Sequence, residues 1–82
     1  MAEWFIISGQ LGHSLSPWIG KHADRIGVDV RFGNSSADRL EICVDGPPAL
    51  LDAMEMGCLL GPIDIWVDDI QRKPFAGLHE SS

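Results

Sequence analysis

Two alternating runs in succession, between Val28 and Asp45, constrain this fold more than anything else in the chain. Val28, Val30 and Phe32 fall on one side, with Asp29 and Arg31 on the other. After Gly33-Asn34-Ser35-Ser36-Ala37-Asp38, Leu40, Ile42 and Val44 face one way and Glu41 and Cys43 the other. A period of two belongs to a strand with one buried face. Gly, Asn, Ser and Asp between such runs are turn chemistry. The expectation is an antiparallel hairpin of strands 28–34 and 39–45.

The flanks supply the rest. Residues 4–11 are rich in aromatic and β-branched side chains, and the nearly unbroken Trp4-Phe5-Ile6-Ile7 suggests a central strand. A helix is expected from Trp18, with Ser16 as N-cap and Pro17 at the first helical position. Leu15, Ile19, Ala23 and Ile26 recur at helical spacing, and Gly27 is a natural C-cap. Gly20 inside this helix costs about 1 kcal/mol relative to Ala, which suggests close packing there. Asp45-Gly46-Pro47-Pro48 opens a second helix, with Leu50, Leu51, Met54 and Cys58 as its buried face and Gly57 or Gly61 as its end. A fourth strand is expected over 63–70, and 71–82 reads as a weakly patterned tail that frays at its end. The order strand, helix, strand, strand, helix, strand predicts a ferredoxin-like α+β sandwich: a four-stranded antiparallel sheet with both helices on one face.

Composition narrows the function classes. The 82 residues make a single domain, and 45% hydrophobic content is too high for disorder. Twelve Asp and Glu against six dispersed Lys and Arg give a net charge of −6. That argues against nucleic acid, which needs a basic stripe. The longest apolar run near the start falls far short of the roughly 20 residues a bilayer requires. With no secretory leader pattern either, a cytoplasmic, bacterial origin is the expectation. Cys43 and Cys58 are expected as free thiols, and no ligand spacing calls for a metal or cofactor. His22 and His79 read as surface residues. Alternation places Trp66 opposite Ile65 and Val67, where it is expected to cover the outer sheet face; a partner-binding surface is the other reading.

The candidate site is the loop before the first helix. Gly12, His13, Ser14, Leu15 and Ser16 precede a helix N-terminus, where backbone N–H groups and the helix dipole favour an anion. An ordinary strand-to-helix connection has the same composition.

On these residues the chain resembles the acylphosphatase family. Ile7-Ser8-Gly9 looks like the start of its phosphate loop, and His22-Ala23-Asp24-Arg25-Ile26-Gly27-Val28 like the end of its first helix. Glu41-Ile42-Cys43-Val44-Asp45-Gly46-Pro47 looks like its third strand running into a helix start, and Cys58-Leu59-Leu60-Gly61-Pro62 like the close of its second helix. The resemblance spans roughly residues 4 to 70 and implies hydrolysis of carboxyl phosphates without metal. In that family, loop amides and an arginine hold the phosphate and an asparagine orients water. Carried over, Asn34 falls on the catalytic asparagine and Gly12 to Ser16 on the phosphate loop. The family loop reads Gly-Arg-Val-Gln-Gly-Val-Gly-Phe-Arg; here it is one residue shorter, and the arginine position falls at Ser16. Arg39, beside the Asn34 turn, and Arg31 are the candidates to replace that charge.

The implied ligand is a small anion: phosphate, acyl phosphate or carboxylate. Hydrolysis is expected to be weak or lost, and a non-catalytic anion-binding or protein-interaction module is the alternative. Gly12 to Pro17 also resembles the substrate loop of shikimate dehydrogenases, whose two serines hold a carboxylate. This chain is far too short for that enzyme, so the likeness reads as convergence.

Overall fold

The computed structural model describes residues 2–12, 14–62 and 65–75. The elements are β1 (Ala2–Gln10), α1 (Leu15–Ile26), β2 (Asp29–Ser35), β3 (Arg39–Asp45), α2 (Pro48–Leu60) and β4 (Trp66–Pro74). The strands form one antiparallel sheet in the order β2-β3-β1-β4. This is the ferredoxin-like arrangement, with β1 central as its apolar run suggests.

The core lies between the sheet and the helices. Phe5 and Ile7 of β1 and Leu40, Ile42 and Val44 of β3 meet Leu15, Ile19 and Ala23 of α1 and Leu51, Met54 and Cys58 of α2, all buried. Each large side chain so enclosed contributes about 1.5–3 kcal/mol. Trp4, Ile6, Glu41 and Cys43 face the other side and are half-buried. Phe32 continues the inner face of β2 but is 49% exposed, because β2 is an edge strand.

α1 begins earlier than its sequence suggests. Ser14, not Ser16, is the N-cap, and its side chain makes no capping bond. Trp18 N–H donates to Ser14 O at 3.3 Å. Leu15 is the cause: it is 1% exposed, and joining the apolar stripe brings it inside the helix. Pro17 then sits within the first turn, where N–H groups have no intrahelical acceptor. Gly27 closes α1 in the left-handed region, its N–H on Ala23 O at 2.8 Å.

Close helix packing lies on the opposite helix from the one the sequence indicates. Nothing stands within 4 Å of a Cβ built at Gly20, whereas one at Gly57 of α2 would strike the His22 imidazole. His22 is therefore half-buried and not a surface residue. It stacks on Trp18, with centroids 6.0 Å apart, and lies 3.5 Å from Ala53 O. Trp18 Nε1 donates to Gly57 O at 3.3 Å.

β4 also departs from expectation. It starts at Trp66, and residues 71–74, assigned above to a weakly patterned tail, form its second half. Ile63, His79 and the chain end lie outside the described residues. Arg72 explains the extension. Its guanidinium lies 5.3 Å from the Phe5 ring centroid and bonds Glu3 at 2.7 Å, Asp52 at 2.7 Å and Glu55 at 2.9 Å. Those hydrogen bonds raise its pKa further above the ordinary arginine value. At Gly9 the β1–β4 register shifts, and the backbone takes φ 151°; a side chain there would run into the Trp66 carbonyl.

Trp66 does not cover the outer sheet face: it is 67% exposed. Trp4 lies over part of that face instead. Its ring reaches across β3, 3.4 Å from where a Gly33 Cβ would stand, and packs at a tilt on Phe75. Cys43 and Cys58 are free thiols. Burial, with Glu55 adding to it, pushes the Cys58 thiol up to about 12. Among the described residues no helix is long and apolar enough to cross a membrane.

Candidate functional site

The loop between β1 and α1 meets the β2–β3 turn at one end of the sheet. Between them is a cleft of about 360 Å³. Leu11, Gly12, Leu15 and Ser16 line it from the loop side, and Ser35, Ser36, Ala37 and Leu40 from the turn side. Gly12 has φ 58°, which lets the chain turn from strand into helix.

Backbone hydrogen bonds decide what this loop can offer. Gly9 N–H donates to Asp38 O at 3.0 Å, Leu11 N–H to Ala37 O at 2.9 Å and Gly12 N–H to Ala37 O at 3.4 Å. These amides fasten the loop to the turn and are committed within the protein. Leu15 and Ser16 open the helix, so their N–H groups have no intrahelical acceptor. The Leu15 side chain is core; only its backbone belongs to the site. Ser14 is the N-cap, and His13 lies outside the described residues.

The electrostatics differ from those of a phosphate site. Among the described residues, none that lines the cleft is charged. The Ser36 hydroxyl donates to Asp38 Oδ1 at 2.8 Å, so one lining hydroxyl is held by a carboxylate. Neither candidate arginine closes over the loop. Arg39 pairs with Glu41 at 3.1 Å on the outer sheet face. Arg31 stands opposite Cys43 in the β2–β3 register and lines a separate hollow with Asp29 and Asp45. Arg72 is held beneath α2 by its three carboxylates.

Asn34 is exposed within the register shift between Phe32 and Ser35. Its neighbour Ser35 lines the cleft, and Asn34 itself is not among the lining residues. The structure thus brings Gly12 and Ser16 into one cleft with the turn and leaves Asn34 at its margin. The residues that sequence reasoning missed are Ala37 and Asp38, whose carbonyls take the loop amides. No local signal marks them beyond ordinary turn composition.

No protein-family model matches this chain, and no curated protein matches it in sequence. Among solved structures it is similar to the crystal structure of acylphosphatase from Bacillus subtilis. The TM-score is 0.81 at 21% identity, over 95% of this chain and 89% of that one. With strand order, helix placement and a loop-to-turn cleft in view, the chain has the acylphosphatase-like fold.

Proposed function

We propose that this chain is an acylphosphatase-like binding domain in which acyl-phosphate hydrolysis has fallen to the uncatalysed background. The observation that carries the reading is that none of the described residues lining the loop cleft is an Asp, Glu, Lys or Arg. A transferring phosphoryl group spreads negative charge over its oxygens, and enzymes that move it rely on cations and preorganised donors there. Among the described residues, the donors in this cleft are the Ser16 and Ser35 hydroxyls and the first amides of α1. They suit one small group of low charge, a carboxylate or a phosphate monoanion held weakly, better than a dianion in transit.

The test is hydrolysis of benzoyl phosphate by the wild-type chain and by Asn34→Ala. Both are expected at the buffer rate. A wild-type rate well above buffer that falls in Asn34→Ala would establish a working hydrolase and overturn the proposal. Titration with acetate, phosphate and sulfate reads the binding half separately. Amide shifts at Gly12, Ser14, Leu15 and Ser16 at millimolar ligand are expected, and none at tens of millimolar removes the ligand.

A further inference from the structure

The sheet ends in two unlike edges. β4, at one end of the strand order, carries a register shift beside the exposed Asp68 and Asp69 and stops at Pro74. Extra residues, charge and proline are common guards against the addition of a further strand. β2, at the other end, pairs with β3 without interruption from Asp29 to Phe32, and its register shifts only after that. Among the described residues no strand lies along its outer side, so one row of its N–H and C=O groups faces outward.

The side chains along this edge are patterned. Val30 stands opposite Val44 and Phe32 opposite Ile42, so both belong to the inner face, with the buried Val28 before them. Phe32 is nevertheless 49% exposed. Asp29 stands opposite Asp45 and Arg31 opposite Cys43 on the outer face, so neither meets an opposite charge directly across on β3. Both are exposed, and neither makes a hydrogen bond or ion pair among the described residues. Residues directly opposite in an antiparallel pair share a face. A two-fold axis through an edge strand therefore sets one residue against its own copy. An axis at Asp29 or at Arg31 brings like charges together. An axis at Val28 or at Phe32 runs one half of the pairing into α1 or into the register shift. An axis at Val30 sets Asp29 against Arg31 of the second copy, twice, and Phe32 against the second copy's Val28.

From this we infer that the outer edge of β2 is a self-association surface, on which a second copy of this chain pairs antiparallel about Val30 and the two sheets become one. Charge selects the occupant and the register together, since opposite charges directly across a strand pair favour it and like charges oppose it. The second copy also lays an apolar residue beside the exposed Phe32. The paired stretch is short, so the dimer is a weak one. The net charge of −6 on each chain opposes it at long range, and about 0.1 M salt screens that repulsion beyond about 10 Å. Residues 28–32 do not line the loop cleft, so the dimer stands or falls independently of hydrolysis.

The test is sedimentation of the full chain in about 0.1 M salt. The 9.0 kDa monomer is expected at micromolar concentration and a growing share of dimer at millimolar, with amide shifts on dilution centred on 28–32. Asp29→Arg and Arg31→Asp each set like charges opposite one another on both sides of the axis, and each should weaken association at least about tenfold. Mixed in equal amounts, the two variants should associate as the wild type does, because the charges of one chain then meet their opposites on the other. The double variant Asp29→Arg/Arg31→Asp should associate by itself for the same reason. Both positions are exposed, so the amide spectrum of the core should stay unchanged in every variant. A wild-type chain that remains monomeric at millimolar concentration overturns the proposal. So does a dimer that the single variants leave intact, single variants that mixing does not restore, or dilution shifts that fall on α2 or β4 instead.

Discussion

Gly57 holds its place because of what leans on it. His22 fills the space a side chain would need, and Trp18 stacks on His22 while donating to the Gly57 carbonyl. Glycine inside a helix costs about 1 kcal/mol relative to Ala; here it makes room for the His22 ring of α1 against α2. Gly57→Ala should therefore destabilise the domain by about 1–3 kcal/mol, the range for overpacking, although Ala is the better helix former. Combined with His22→Ala, the same change should cost less than alone, leaving a coupling of at least about 1 kcal/mol in a double-mutant cycle by urea unfolding. Additive effects would show that the two side chains do not compete for one space. Sequence reading saw that a helical glycine implies close approach but chose Gly20, because spacing within one helix cannot say which turn faces another.

At the scale of elements, the loop and α1 show what was legible and what was not. The apolar stripe of α1 and the Gly27 cap could be read from spacing alone. The helix start was misplaced because Ser16-Pro17 is a strong local start signal, and burial of Leu15 overrides it. Whether loop amides remain available depends on the carbonyls of Ala37 and Asp38, which belong to a different hairpin. Local composition carries no information on that pairing. Charge is the part that can be restored. Ser16 lines the cleft, so Ser16→Arg puts a guanidinium where none of the described lining residues is charged. Benzoyl phosphate hydrolysis should then rise at least about tenfold above buffer, well short of the 10³–10⁵ of an evolved arginine clamp, and Asn34→Ala in that background should remove the gain. A rise that survives Asn34→Ala would place the chemistry elsewhere; no rise at all would mean that missing charge is not what limits the cleft.

Across the whole molecule, the first and last strands are joined by backbone pairing and by one side chain, Arg72. β1 and β4 pair over nearly their full lengths, from Glu3 opposite Pro74 to Gln10 opposite Trp66. The pairing is highly non-local, the kind of contact whose loop-closure cost slows folding. The strand order followed from the sequence because alternation and short crossovers leave few alternatives. The reach of β4 did not, since Gln71-Arg72-Lys73 has no apolar pattern. What holds that polar half is Arg72, with its guanidinium over Phe5 and its charge shared by Glu3 of the first strand and by Asp52 and Glu55 of α2. The Arg72 side chain is 23% exposed and Glu3 21%, while Asp52 is 73% exposed. The Glu3 and Glu55 bonds should therefore matter most, and the Asp52 bond little. Arg72→Met keeps an apolar stem and leaves three carboxylates without their cation. It should cost about 1–3 kcal/mol in urea unfolding at pH 7, below the 3–5 of a fully buried broken pair. Glu3→Gln in the same chain should recover part of that loss by removing an orphaned charge. If Arg72→Met unfolds at the wild-type urea midpoint, β4 is held by backbone pairing and by Val67 and Ile70.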